Sequence, residues 1–287
     1  MTYEDQNPLE FIHAAVLIAA HGSPNSPGGP STTRRHAEQL ANLCIFSEVG
    51  AGFLAEKPFV ADVLNELESC EIYIVPNLAS AGYVCQEKLP QALGLTGQVT
   101  ERITAKGHQR LILTEPVGTH PLMAKVMAAT VETVMSDMHL DSEDTALVVI
   151  GHGSTKSRAS LTELETVSAD LSQFGLAELG HNKAISCAFL EEAPFIKDWR
   201  QLSDASTIVF APYLISDGFH ATRDIPLAIG FDPGDPAFQS NLAQGLPSIT
   251  EIEGRRLVYL PPVGAQPYVT EIIVARVKQA RAQLSDQ

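Results

Sequence analysis

Basic residues are scarce in this chain: 19 Lys and Arg stand against 34 Asp and Glu, a formal net charge of −15. That balance argues against generic binding to nucleic acid or anionic membranes, so neither is expected as a partner, because both need a basic face. It does not exclude an anionic small molecule held by a local basic rim. Cysteine is scarce too. Cys44, Cys70, Cys85 and Cys187 make no CxxC pair and no short metal-type spacing. Cys44, Cys70 and Cys187 fall in or beside apolar stretches and read as buried thiols of a reducing compartment. The apolar run Ala14–Ala20 is too short to span a bilayer and ends at His21-Gly22-Ser23. It reads as a first strand and not as a signal-sequence core, so the expected location is cytoplasmic. The chain also lacks an HExxH cage, an RHG tripeptide, a GxSxG elbow and a GxxxxGK[ST] loop. Those absences count against a structural metal cage and against a hydrolytic or phosphoryl-transfer enzyme.

What is present is ordinary globular material in an amount natural for two domains: 287 residues, 45% hydrophobic and 18% charged. The chain is also written twice. FLAEKPFVADV at Phe53 returns as FLEEAPFIKDW at Phe189, an offset of 136 (189 − 53). IYIVPNLASAGYV returns as IVFAPYLISDGFH at the same offset, and HGSP at His21 matches HGST at His152. EPVGTHPLMAKVM matches PPVGAQPYVTEII, which sets His120 against Gln266. Blocks recurring in one order with small insertions define an internal duplication.

Each copy alternates β-like and helical patterns. Expected strands are Ala14–Ala20, Glu48–Leu54, Glu71–Pro76 and Arg110–Glu115, then Ala146–Ile150, Ala184–Leu190, Thr207–Pro212 and Arg256–Leu260. Expected helices are Thr32–Leu43, Pro58–Ser69, Gln86–Leu93 and Pro121–Met138, then Ser157–Phe174, Pro194–Ser203, Arg223–Ala228 and Pro267–Gln283. The strands are short and apolar throughout, as in a parallel sheet covered on both faces. Pro58, Pro121, Pro194 and Pro267 are expected in first helical turns. The predicted fold is α/β: two tandem doubly wound, flavodoxin-like parallel-sheet domains of four strands each, residues 1–140 and 141–287.

In such a sheet, ligands bind outside the carboxyl ends of the strands where strand order reverses, here between the first and third strands. His152 follows the first strand of the second copy and His220 follows its third, so both are expected in one crevice. A lone loop histidine is an ordinary polar residue or a helix-cap neighbour. The pair at a switch point points to function. The first copy supplies a control: His21 persists, but Val84 stands where the second copy has His220, while Gly82 and Gly218 agree. The glycine reads as structural and His220 as chemical, making the second copy the expected active half.

VIGHGST, APYLISDGFHATRDIPLAIGF and LPPVGAQPYVTEII, in that order, resemble the sirohydrochlorin cobaltochelatase/ferrochelatase family, the class II tetrapyrrole chelatases. The resemblance covers residues 146–280, and the first copy more loosely. It implies a chelatase-like fold and an ATP-independent lyase that inserts Co²⁺ or Fe²⁺ into sirohydrochlorin in cobalamin or sirohaem synthesis. It implies that His152 and His220 handle the metal, with Glu191 as an accessory acid. Glu192 is adjacent to Glu191, but it pairs with Glu56 in the repeat, whereas Glu191 pairs with Ala55. The metal is substrate, Co²⁺, Fe²⁺, Ni²⁺ or Zn²⁺ being acceptable to imidazole, and no organic cofactor is implied. The substrate carries eight carboxylates. Ser154, Lys156, Phe219 and Arg223 are the expected substrate-binding residues, with Arg158, Arg34, Arg35 and Tyr83 nearby. Because single-repeat relatives dimerise, the fused pair is expected to be monomeric. The competing reading is a non-catalytic metal or tetrapyrrole carrier using the same two histidines.

Overall fold

The computed structural model describes residues 11–24, 31–154, 158–174, 176, 179 and 185–285. The first half builds one sheet from β1 (Ala14–Ala20), β2 (Glu48–Phe53), β3 (Glu71–Pro76), β4 (Val99–Thr104) and β5 (Gly107–Leu113). Its order is β2-β1-β3-β5-β4. The second half repeats the pattern with β6 (Thr145–Gly151), β7 (Ser186–Phe189), β8 (Thr207–Pro212), β9 (Ser248–Ile252) and β10 (Arg255–Tyr259), ordered β7-β6-β8-β10-β9. The chain therefore folds as two tandem doubly wound α/β units.

Each sheet has a fifth strand that the expected four did not include. β4 and β9 pair antiparallel with β5 and β10. The hairpins turn through Gly107 at φ 114° and through Glu253-Gly254 at φ 55° and 75°, backbone conformations that suit tight hairpin loops. These strands lie at the sheet edge, where one face meets water: Thr100 is buried but Ile103 is 87% exposed. Apolar runs mark strands covered on both faces, so a search for such runs passes over an edge strand.

The helices are α1 (Ser31–Asn42), α2 (Val60–Glu66), α3 (Leu89–Leu93), α4 (Leu122–Asp137), α5 (Ala159–Gln173), α6 (Ile225–Ile229), α7 (Pro236–Ala243) and α8 (Val269–Ser285). α7 occupies the insertion specific to the second half. Two proline expectations fail. Pro58 and Pro194 follow cis peptide bonds and precede the caps Phe59 and Phe195, so neither lies in a helical turn. The segment after Pro194 is a 3₁₀ turn, Ile196–Gln201, and not an α-helix. Cys44 and Cys70 are exposed, against the buried expectation, while Cys85 is buried and Cys187 half-buried. Among the described residues no helix is long and apolar enough to cross a membrane.

Period-two alternation divides each strand's side chains between two cores. Ala15, Leu17, Ala19, Ile72 and Ile74 face α2 and α3 on one side of the first sheet. Val148, Ile150, Ile208 and Phe210 face Trp199, Ile225 and Ile229 on one side of the second. The opposite faces, Val16, Ile18, Tyr73 and Val75 with Leu147, Val149, Val209 and Ala211, belong to one continuous core shared through α1, α4, α5 and α8. Polar contacts cross the same junction. Arg276 is 3% exposed and donates to the Pro116 carbonyl at 3.0 Å and to Glu115 at 2.7 Å. His36 Nε2 donates to the Gly264 carbonyl at 2.7 Å, and the Tyr213 hydroxyl donates to that of Gly118. Gly118 and Gly264 are the glycines of the two PVG segments. A Cβ on either would stand 2.3 Å from the backbone of Ala79 or Ile215. PVG is thus a close-packing motif between the loop after the fifth strand and the loop after the third.

Candidate functional site

β6 and β8 are neighbours, and their carboxyl ends deliver the two histidines to one place. His152 leaves β6 on a turn that needs Gly153 at φ 80°, where any Cβ would also crowd Phe189 and Glu192. Its Nδ1 hydrogen goes to the Gly153 carbonyl at 2.9 Å. The helix after β8 begins earlier than the expected Arg223. A π-helical turn, His220–Asp224, is capped by Phe219 and runs directly into α6. This places His220 and Asp224 four residues apart on one face. His220 Nδ1 donates to Asp224 Oδ2 at 2.9 Å, and Arg223 Nε holds the other carboxylate oxygen at 2.8 Å.

With both Nδ1 hydrogens committed, each ring presents a bare Nε2, and the two lie 3.1 Å apart with rings 82° from coplanar. Two lone pairs at that distance repel unless a proton or cation lies between them. Metal–imidazole bonds are about 2.1 Å, so nitrogens at adjacent, right-angled positions on one ion stand about 3 Å apart. The pair fits a shared divalent ion. Glu191 Oε1 is 3.9 Å from His152 Nε2. Glu192 turns the other way and accepts from the Ser154 amide at 2.9 Å, as Glu56 does from Ser23 in the first half. The repeat comparison thus separates the loop-bracing glutamate from the one beside the histidines. Among the described residues no three His, Cys, Asp or Glu side chains are grouped closely enough to hold a metal ion, so the histidines stand as a pair. Burial alone would raise the Asp224 carboxyl, but the bonds from Arg223 and His220 outweigh it and hold it below its ordinary value.

The histidines open onto a cleft of about 710 Å³ between the two halves. Ser154, Glu191, Phe219, Arg223 and Asp224 line it from the second half, and His21, Ser23, Tyr83 and Lys88 from the first. The Arg223 guanidinium lies 4.3 Å from the Phe219 ring centre, and Lys88 Nζ lies 5.6 Å from that of Tyr83. Each jaw therefore carries an aromatic face with a cation on it. The basic rim differs from the expected one. Arg34 bonds the Lys57 carbonyl and covers Phe53, and Arg35 bonds the Ala265 carbonyl. Neither Arg34, Arg35 nor Arg158 lines the cleft. Lys156 lies outside the described residues.

Asp224, Lys88 and Glu163 are cleft residues that sequence reasoning passed over. The H-x-x-x-D spacing of His220 and Asp224 was the available signal for the first. Lys88 shows itself only when the copies are aligned, since it stands where the second copy has Asp224. The first half therefore has Val84, Lys88 and Ala55 where the second has His220, Asp224 and Glu191.

Two doubly wound sheets about one cleft, with a histidine pair in only one, define a tandem chelatase-like protein. The CbiX family model matches residues 15–134 and again 146–280, and the chain belongs to that family. It is 27% identical over 285 residues to a probable sirohydrochlorin cobaltochelatase of Halobacterium salinarum, covering 95% of this chain and 93% of that one. A sirohydrochlorin cobaltochelatase of Methanopyrus kandleri, 26% identical over 141 residues, is covered over 96% of its length by 47% of this chain, a single-repeat relative. Among solved structures, CbiX, the terminal enzyme of sirohaem biosynthesis in denitrifying bacteria, superimposes with a TM-score of 0.64 at 26% identity. The match covers 93% of this chain and 99% of that one.

Proposed function

We propose that this chain inserts a divalent metal ion, Co²⁺ or Fe²⁺, into sirohydrochlorin without ATP, using the histidine pair of its second half, residues 141–287, in the cleft between the halves. The observation that carries the reading is the pair of bare Nε2 atoms 3.1 Å apart, both Nδ1 hydrogens being otherwise held. The metal is a substrate here, and the donor set suits its release. Two imidazoles and one carboxylate leave coordination positions open for pyrrole nitrogens, whereas a closed four-ligand site would retain the ion. Asp224 fixes the ring of His220 and raises its basicity as a ligand. Imidazole accepts Co²⁺, Fe²⁺, Ni²⁺ and Zn²⁺ alike, so supply in the cell decides between cobalamin and sirohaem synthesis.

The macrocycle lies in the cleft between the jaws. Phe219 and Tyr83 cover its faces, while Arg223, Lys88 and the Ser154 loop meet its carboxylates. Both jaws belong to one chain, so a monomer suffices for one complete site. Anaerobic mixing of the protein with sirohydrochlorin and Co²⁺ or Fe²⁺, followed by absorbance of the macrocycle, is the test. Insertion faster than the non-enzymatic background supports a chelatase. A rate equal to background with tight binding of both substrates would instead make the protein a carrier.

A further inference from the structure

The reaction just proposed needs a proton acceptor that the histidine pair does not supply. Insertion of M²⁺ breaks two pyrrole N–H bonds, and each nitrogen's electron pair goes to the metal. With both Nε2 atoms on the ion and both Nδ1 atoms already protonated, neither imidazole can take those protons. Glu191, 3.9 Å from His152 Nε2, is the carboxylate of the proposed donor set, so its oxygens are engaged on the metal side.

Glu163 is placed differently. It lies on α5 one turn beyond Ser160, whose hydroxyl accepts from the Gly153 amide at 3.3 Å, and so stands beneath the His152 loop. Its neighbour Leu164 packs under Gly151, where a Cβ would come within 3.1 Å of Leu164 Cδ2. Glu163 is among the residues that line the cleft. The first half differs at this position. Thr32 occupies the matched helical position, 131 residues earlier, and is hydrogen-bonded to Asp217 across the junction. The residue that would answer Glu163 across the mirrored junction is Ala81, which has no group to bond it.

The structure assigns Glu163 as the group that accepts the pyrrole proton. The N–H bond breaks, an O–H bond forms on Glu163, and the proton then leaves through the open cleft before the second transfer. Burial raises its carboxyl to about 7, against the pull of Arg276 on α8 and with the help of Asp170 on its own helix. Tyr213 also faces this group, and His152, His220, Glu191 and Lys88 line the same cleft. A carboxylate that gains and loses its proton near neutral pH is matched to a transfer step.

The assignment rests on the proposed chelation, and its test compares wild type, Glu163→Gln and Glu163→Ala in the anaerobic insertion assay across pH, with added formate. Glu163→Gln is expected to lower kcat by about 10²-fold, within the usual range for a lost general base. Co²⁺ and sirohydrochlorin affinities should stay at wild-type level, the pH–rate limb near 7 should vanish, and formate should restore Glu163→Ala. Wild-type kcat in Glu163→Gln, or a loss confined to binding without formate rescue, overturns this assignment alone. A wild type no faster than background overturns the chelatase reading with it.

Discussion

His152 Nε2 and His220 Nε2 stand 3.1 Å apart, although 68 positions separate the two residues in the chain. Parallel pairing of β6 with β8 creates the meeting, and the Nδ1 bonds to Gly153 and Asp224 aim both lone pairs inward. Titration with Co²⁺ should therefore show one ion per chain with imidazole ligation in its visible spectrum. His152→Ala or His220→Ala should weaken binding by more than the 10–100-fold usual for loss of an outer-shell partner. Unchanged affinity in either variant would place the ion elsewhere.

Asp224 acts through His220. Replacement by Asn keeps an acceptor but removes the charge that fixes the ring, and should cost about 10–100-fold in metal affinity or insertion rate. Thermal unfolding should be little changed, since the Asp224 side chain is 29% exposed and holds only neighbouring groups. A loss seen only as lower stability would contradict this role.

Lys88 tests the contribution of the first half. Lys88→Glu should raise KM for sirohydrochlorin on the order of tenfold, equivalent to about 1.4 kcal/mol. Metal affinity should stay the same, and the effect should shrink as salt screens the charges. An equal rise in the KM for metal would mean that Lys88 acts on the ion site instead.

His120 predicts acid sensitivity at the junction. Burial, with the charge of Arg276 beside it, lowers its imidazole to about 4, and its Nδ1 accepts the Leu122 amide hydrogen. The folded state thus holds the neutral ring, while the unfolded chain takes up a proton near 6.5. The stability contributed by neutral His120 is full above about 6.5 and is lost as pH falls toward about 4, by up to about 3 kcal/mol. Gln266 occupies the matched position, so His120→Gln should fit and should flatten the decline. Urea unfolding at pH 7 and pH 5 would show it, and parallel losses in both proteins would contradict it.

Much of this architecture was legible because duplication gives the sequence its own internal comparison. Matching strands, matching HGS turns and the contrast of His220 with Val84 each followed from two aligned copies. β4 and β9 escaped because an edge strand with one wet face carries no apolar run. The π-helical turn at His220 escaped because its residues, HATRD, carry no apolar period, so the pattern starts a helix only at Arg223. Asp224 went with it, and in consequence the aim of His220 was not foreseen. Glu163 and Lys88 escaped because their interest arises at the junction between halves, which no periodicity within one half reports.

The account stands or falls on one half carrying the chemistry. His21→Ala, His152→Ala and His220→Ala should be compared with wild type in anaerobic insertion of Co²⁺ into sirohydrochlorin. His21 makes the same Nδ1 contact to its own loop, with Gly22, but has Val84 where a second ring would be. His152→Ala and His220→Ala should fall to the non-enzymatic rate, while His21→Ala stays close to wild type. An equal loss in His21→Ala would contradict a site built by the second half's histidines alone.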